Sequence, residues 1–342
     1  MNQSFTDKRS LIYDCLKAIT ILLVLAGHCF VMYSPDGAIE VVKGCYPFRL
    51  ATLVIYRFHV PCFFMVSGAI FAFCLRQRVY ADFRTFLRKK ARRLLMPYGI
   101  FGLLVVPPVL ALCGLAEDFS LPRLGWQWLS GMNMRHLWYL YALFFIFLLM
   151  WAVRKYLVPT DGKRVLLISF VVSLIFRSFS PVWLSYFQIA NIFYYQFFFV
   201  CGVYLDFYFE ELFTLLAAKK KWSIAVLALL LCSTFADFWT LSGYVYALCG
   251  MALSLWLGLW LSERRSLLKS SFHRLLCRDS YGIYLIHAML VYLVFWSFSE
   301  VAVSPLLLVA LAFSVALGGS LGLTELLRRL GLGFVLGEGK RR

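Results

Sequence analysis

The sequence has 342 residues, of which 62% are hydrophobic and only 15% charged, with a formal net charge of +17. Soluble domains carry roughly 45–50% apolar and about 25% charged residues, so no water-soluble packing could hide this much apolar surface. A mean hydropathy of +0.79 and 33 Phe point instead to an integral membrane protein, and they argue against nucleic-acid binding as the meaning of the charge.

A helical crossing needs ~20 mostly apolar residues. Ten such stretches follow one another: 11–33, 50–75, 94–113, 136–153, 164–180, 188–209, 222–239, 243–262, 280–298 and 303–326. The first is preceded by Lys8 and Arg9, carries ions within it and has no small-residue cleavage signal, so it is expected to be retained rather than removed as a signal peptide. Between stretches the basic residues alternate. The connections on one side, together with both ends of the chain, hold 27 of the 34 Lys and Arg, eight of them between the second and third stretches. The positive-inside rule then places both termini in the cytoplasm, and the charge is a topology signal. The expected fold is an all-α, polytopic bundle of about ten transmembrane helices forming a single domain over 1–342. Ten scattered Cys without a CxxC pair suggest no disulfide framework.

Ionisable groups inside a membrane cost several kcal/mol and mark function. In the first stretch these are Asp14, Lys17 and His28. Lys17 and His28 are eleven residues apart, which at ~100° per residue puts them within about 20° of each other on the helix and ~16 Å apart in depth. Lys17 could simply pair with Asp14 and snorkel to the headgroups; His28 has no such neighbour. The second stretch runs back with Arg57, His59 and Pro61. His59 falls in the outer half, where it could meet His28, and Pro61 can kink the helix and open room there. A bond to a neighbouring carbonyl is the plainer role for His59. Arg88, Lys89, Arg92 and Arg93 form a basic run that could hold phosphates, although positive-inside bias explains it equally well. Arg135 and His136 open the fourth stretch at the outer surface, where an interfacial belt needs no further function. His287 follows Tyr281-Gly282-Ile283-Tyr284-Leu285-Ile286 about seven residues from the cytoplasmic end of the ninth stretch, near the depth of Lys17.

No GxSxG, HExxH or P-loop string occurs, and no metal site is suggested. Histidines in a partly dry site suit general-base chemistry, so the pattern fits either base-assisted group transfer or a substrate path through a transporter.

Several strings, in order, resemble the acyltransferase-3 family of multi-span bacterial acyltransferases, particularly its fucose-4-O-acetylase-like and surface-polysaccharide O-acetyltransferase members. They are Tyr13-Asp14-Cys15-Leu16-Lys17-Ala18-Ile19 leading to Ala26-Gly27-His28, Phe58-His59-Val60-Pro61 leading through Phe63-Phe64 to Ser67-Gly68, His136-Leu137-Trp138-Tyr139-Leu140, Phe197-Phe198-Phe199-Val200-Cys201-Gly202 and Tyr284-Leu285-Ile286-His287. The resemblance implies a cytoplasmic acyl-CoA donor, most simply acetyl-CoA, no bound cofactor, and a hydroxyl of a cell-surface or lipid-linked carbohydrate as acceptor, in a bacterial cytoplasmic membrane. It implies His28 as the catalytic histidine, acting as general base or transient acyl carrier, with His59 as a second active-site group. Asp14, Lys17, Arg57, Arg88, Lys89, Arg92, Arg93, Arg135, His136 and His287 are the expected substrate contacts. The family's pattern has Arg where this chain has Lys17, which keeps the charge and loses the bidentate fork. The competing reading is a glycan or glycolipid transporter or flippase without acyl transfer. A transporter would often show related halves, and no internal repeat is visible.

Overall fold

The computed structural model describes residues 3–116, 120–179, 181–232, 240–264 and 268–339, with side chains of residues 3–8 and of residue 240 left out. The described residues are helical throughout, with no strand among them. In hydrocarbon only a helix satisfies every backbone polar group within one segment, and the composition leaves little alternative.

In chain order the helices are α1 Gln3–Phe30, α2 Tyr46–Arg76, α3 Phe83–Lys90, α4 Met96–Leu104, α5 Val106–Leu112, α6 Leu121–Ser130, α7 Trp138–Ala152, α8 Gly162–Ser178, α9 Ile189–Phe207, α10 Phe209–Ala218, α11 Trp222–Cys232, α12 Thr240–Ser262, α13 Ser271–Ser297 and α14 Pro305–Arg329. A five-residue π-helical stretch, Ala91–Leu95, joins α3 to α4. α3 starts at Asp82, whose exposed carboxylate accepts the Thr85 backbone N–H at 2.7 Å; that bond holds it below the usual carboxylate range. The third expected stretch breaks at Val105, because Pro107 and Pro108 disfavour continued helix before them.

Among the described residues eight helical segments are long and apolar enough to cross a membrane: Arg9–Tyr33, Tyr46–Arg76, Phe83–Leu112, Leu121–Ala152, Val182–Phe207, Leu241–Ser262, Ser271–Ser297 and Pro305–Arg329. The two further expected stretches differ in kind. α8 has 17 residues, about 26 Å of rise. It nevertheless runs from one end of the bundle to the other. Near its start Tyr208 donates to Pro159 O at 2.8 Å, while Ser173 donates to Tyr194 O at 2.7 Å and Gln196 to Ser169 O at 2.6 Å along an antiparallel register with α9. Of the stretch 222–239, residues 222–232 form α11 and 233–239 lie outside the described residues.

Three small-residue crossings set the core. A Cβ on Gly68 would stand 1.9 Å from Phe199 O, and one on Gly202 the same distance from Met65 O, so α2 and α9 touch backbone to backbone. Gly250 of α12 takes the Phe58 ring of α2, and Gly282 of α13 takes Thr324 of α14. At the basic end one buried carboxylate joins three helices. Asp206, fully buried, meets Arg76 at 2.6 Å, Arg9 at 3.4 Å and the Tyr13 hydroxyl at 2.7 Å. A buried charge is tolerated only when so surrounded.

Candidate active site

Near the end of α1 the ring of His28 stands 5.0 Å from that of His287 and 6.4 Å from that of His136, both edge to face; His136 and His287 are 5.5 Å apart. Two helices, α1 and α13, and the turn before α7 thus bring three histidines together. His287 therefore lies at the depth of His28, not of Lys17 as its expected place on 280–298 implied. The physical reason is the helix start: α13 begins at Ser271, with Ser270 capping His273 N at 3.1 Å, so His287 sits ~24 Å along it. His136 is likewise no surface belt residue. It is 7% exposed, and the 3₁₀ turn Arg135–Leu137 tucks it against α13.

Backbone carbonyls fix the tautomers, since a carbonyl only accepts. His287 Nδ1 donates to Ile283 O at 2.8 Å and to Tyr284 O at 2.9 Å, leaving a buried Nε2 without a partner. His136 Nε2 donates to Leu285 O at 3.2 Å and leaves Nδ1 in the same condition. His59 Nδ1 donates to Ile55 O at 2.9 Å. That is the plain local bond expected for it, yet the ring still reaches the site. His28, His59, His136, Tyr139 and Tyr284 all line one cavity of about 270 Å³, and His287 backs His28 from behind its wall. Pro61, inside α2, leaves the Arg57 carbonyl without its intrahelical donor two residues from His59. Among the described residues no group of three or more His, Cys, Asp or Glu side chains could hold a metal ion.

From the cavity an aromatic column descends along α13 towards the basic end. Tyr284 stacks on Tyr281 at 6.3 Å, and the Arg93 guanidinium lies 3.8 Å over the Tyr281 ring. Both hydroxyls are tied to backbone, Tyr284 to His136 O and Tyr281 to Arg93 O. Tyr139 flanks the column 5.6 Å from Tyr284 and meets Ser67 Oγ at 3.1 Å. Sequence reasoning quoted Tyr281 and Tyr284 but gave them no role; Tyr284, three residues from both Tyr281 and His287 and so a neighbour of each on the helix, was the available signal.

The remaining expected site residues, Arg135 excepted, lie apart. Lys17 pairs with Asp14 at 2.6 Å, both partly exposed, and Cys277 of α13 donates to Asp14 O at 3.4 Å. α13 therefore meets α1 at the Asp14 backbone and again at His28. Arg57 lines neither this cavity nor the larger one beside it. Arg88 and Lys89 sit on α3, with Lys89 donating to Val79 O at 3.0 Å. Arg92 and Arg93 hold the segment after α14: Arg92 donates to Glu338 O at 3.2 Å and Arg93 to Leu336 O at 3.2 Å. Gly337 (φ +66°) makes the turn there, packed so closely on Arg92 and Arg93 that a Cβ would fall 2.7 Å from Arg92 O. Arg135 reaches the site itself, lining the histidine cavity with its guanidinium 5.9 Å from the Tyr292 ring.

A protein-family model described as an acyltransferase domain matches residues 11–325, nearly the whole chain. No curated protein and no solved structure matches it.

Proposed function

Because the chain belongs to the acyltransferase-3 family, whose model spans residues 11–325, we propose that this multi-pass membrane protein moves an acyl group, acetyl in the simplest case, from acyl-CoA to a hydroxyl of a carbohydrate. The fucose-4-O-acetylase-like and surface-polysaccharide branch, the bacterial cytoplasmic membrane and the absence of any cofactor beyond the donor belong to the same proposal. The observation that carries it is the placement of His28: its ring faces a cavity, His287 backs it, and His136 flanks it with an unpartnered nitrogen.

The donor is polyanionic and arrives at the basic end, where Arg88, Lys89, Arg92 and Arg93 can meet its phosphates. The Arg93–Tyr281–Tyr284 column supports a pantetheine arm passing upward beside the Asp14–Lys17 pair, so that the thioester reaches His28. His28, neutral, takes the proton of the acceptor hydroxyl. The hydroxyl oxygen attacks the thioester carbonyl, the acyl C–O bond forms, the C–S bond breaks, and the proton held by His28 passes to the departing CoA thiolate. An acyl-His28 intermediate divides the same balance into two steps. His287 Nε2 is the acceptor available to an N–H of His28, which would leave the other His28 nitrogen free as base.

The test uses purified protein in liposomes with radiolabelled acetyl-CoA and extracted surface glycan. The parent chain transfers label, and His28→Ala inserts normally but loses at least about 10²-fold of the rate. Undiminished transfer by that variant defeats the assignment. Movement of glycan across the membrane with acetyl-CoA left intact favours transport instead.

A further inference from the structure

Beside the histidine cavity lies a larger one of about 480 Å³, and the two share Arg135 and Trp138 as lining residues. This volume is in the roughly 300–1,000 Å³ range of small-molecule sites. It occupies the end of the bundle opposite Asp206, between the α5–α7 connection and the start of α9, with exposed Ser120 and Asn133 at its rim. Four amide side chains line it: Gln127, Asn133, Gln188 and Asn191.

The backbone around it is held in an uncommon conformation. Among the described residues five non-glycine positions have positive φ, and four are here: Asn133 (+56°), Arg135 (+49°), Phe187 (+56°) and Gln188 (+56°). Asn adopts this region readily; Arg, Phe and Gln do not, and such residues persist where the surroundings over-determine them, most often at binding sites. The surroundings here are specific. Gln188, 8% exposed, donates through Nε2 to Gly131 O at 2.7 Å and accepts from Asn191 Nδ2 at 2.6 Å, so one amide pair ties the start of α9 to the end of α6. Trp126, half exposed, stands 6.1 Å from both Tyr186 and Phe187, extending an aromatic wall along the same strained turn.

We infer that this vestibule is the acceptor site and that its ligand is a pyranose sugar unit, hydrogen-bonded by Gln127, Asn133 and Asn191 and laid against the Trp138 indole, with Arg135 at the throat between sugar and histidines. Amides offer a donor and an acceptor side by side, which matches a pair of adjacent ring hydroxyls, and an indole face matches the C–H face of the ring. A sugar bound here presents a hydroxyl to His28 through the shared wall, where it attacks the thioester carbonyl of the acyl-CoA. The inference rests on the acyl-transfer reading for its chemistry and on the cavity alone for its ligand, and two readouts separate these.

The experiment uses the full chain in liposomes, with acetyl-CoA and the methyl glycosides of glucose, galactose, fucose and N-acetylglucosamine as probes. Gln127→Ala with Asn191→Ala raises KM for the best glycoside about tenfold, for two lost hydrogen bonds, and leaves KM for acetyl-CoA unchanged. An unchanged glycoside KM, or an equal rise in both, overturns the inference. In a second arm Gln127→Cys is labelled by a membrane-impermeant maleimide, and the glycosides slow its labelling while leaving that of Lys89→Cys at the basic end unaffected. If the parent chain acylates none of the glycosides, transfer to sugars fails and this arm decides alone: protection keeps the vestibule as a sugar site, and its absence overturns it.

Discussion

At the scale of single residues, the contrast between His28 and His287 is informative. His28 is partly exposed to the cavity, while His287 is fully buried with one nitrogen given to two carbonyls and the other unpartnered. A buried acceptor left empty costs roughly 1–3 kcal/mol, which is retained where it does something. On the acyl-transfer reading proposed above, His287 would orient His28 rather than touch substrate. His287→Ala is therefore expected to lower kcat about 10²-fold while leaving KM for acyl-CoA unaltered, and His287→Gln, whose amide can still donate to the carbonyls and accept from His28, to recover part of that loss. Steady-state kinetics of the three chains decide it; equal losses in both variants, or a loss confined to KM, remove the orienting role. Much of this site was legible beforehand. His28 announced itself as a lone polar residue deep in an apolar helix, and Pro61 marked the neighbourhood of His59. The meeting of His28 with His136 and His287 was not legible, because it depends on α13 starting nine residues before its apolar stretch, where His273, Arg274, Arg278 and Asp279 interrupt the hydropathy of its opening turns.

Elements show the same division. Hydropathy finds each apolar core, since length and apolarity are the physical requirement for crossing. It passes over α3, α6 and α10, which are only 8–10 residues long. Yet α6 helps form the vestibule and α3 carries the basic run. Pairing between helices depends on glycines whose meaning appears only against a neighbour. Gly202 and Gly318 look alike in sequence, but Gly202 has a backbone carbonyl where its Cβ would go, and Gly318 has nothing within 4 Å. Gly202→Leu is expected to force α2 and α9 apart, destabilising by at least about 1–3 kcal/mol. Gly318→Ala is expected to be neutral or to stabilise by up to about 1 kcal/mol through helix propensity. Thermal unfolding of the two variants in the same detergent checks the ordering, and a Gly202→Leu protein as stable as the parent would mean that the close crossing is not what holds these helices.

For the molecule as a whole, charge distribution and helix geometry converge on one orientation. Arg9, Arg76 and Asp206 gather the basic ends of α1, α2 and α9, while Gln188 and Gly131 mark the opposite end. The chain leaves α7 at Ala152 on the basic side, passes Pro159 beside Tyr208, and reaches Gln188 on the far side, and the 17 residues of α8 are the only described α-helix between. α8 thus has to cross although about 26 Å of rise falls short of a ~30 Å core. Local thinning of the bilayer, or the kinked 3₁₀ segment Val182–Gln188, can take up a mismatch of that size at a modest cost. This is where a threshold on length and a bond network disagree, and the network is the stronger constraint because both ends of α8 are pinned to α9. The disagreement can be measured with single cysteines and a membrane-impermeant maleimide. Lys155→Cys, exposed before α8, is expected to label only from the side that labels Lys89→Cys, and Val182→Cys, 77% exposed after it, only from the other side. Were both to label from the same side, α8 would lie along one face, α9 would run in the wrong direction for Asp206 to meet Arg9 and Arg76, and the vestibule would open towards the basic end instead of away from it.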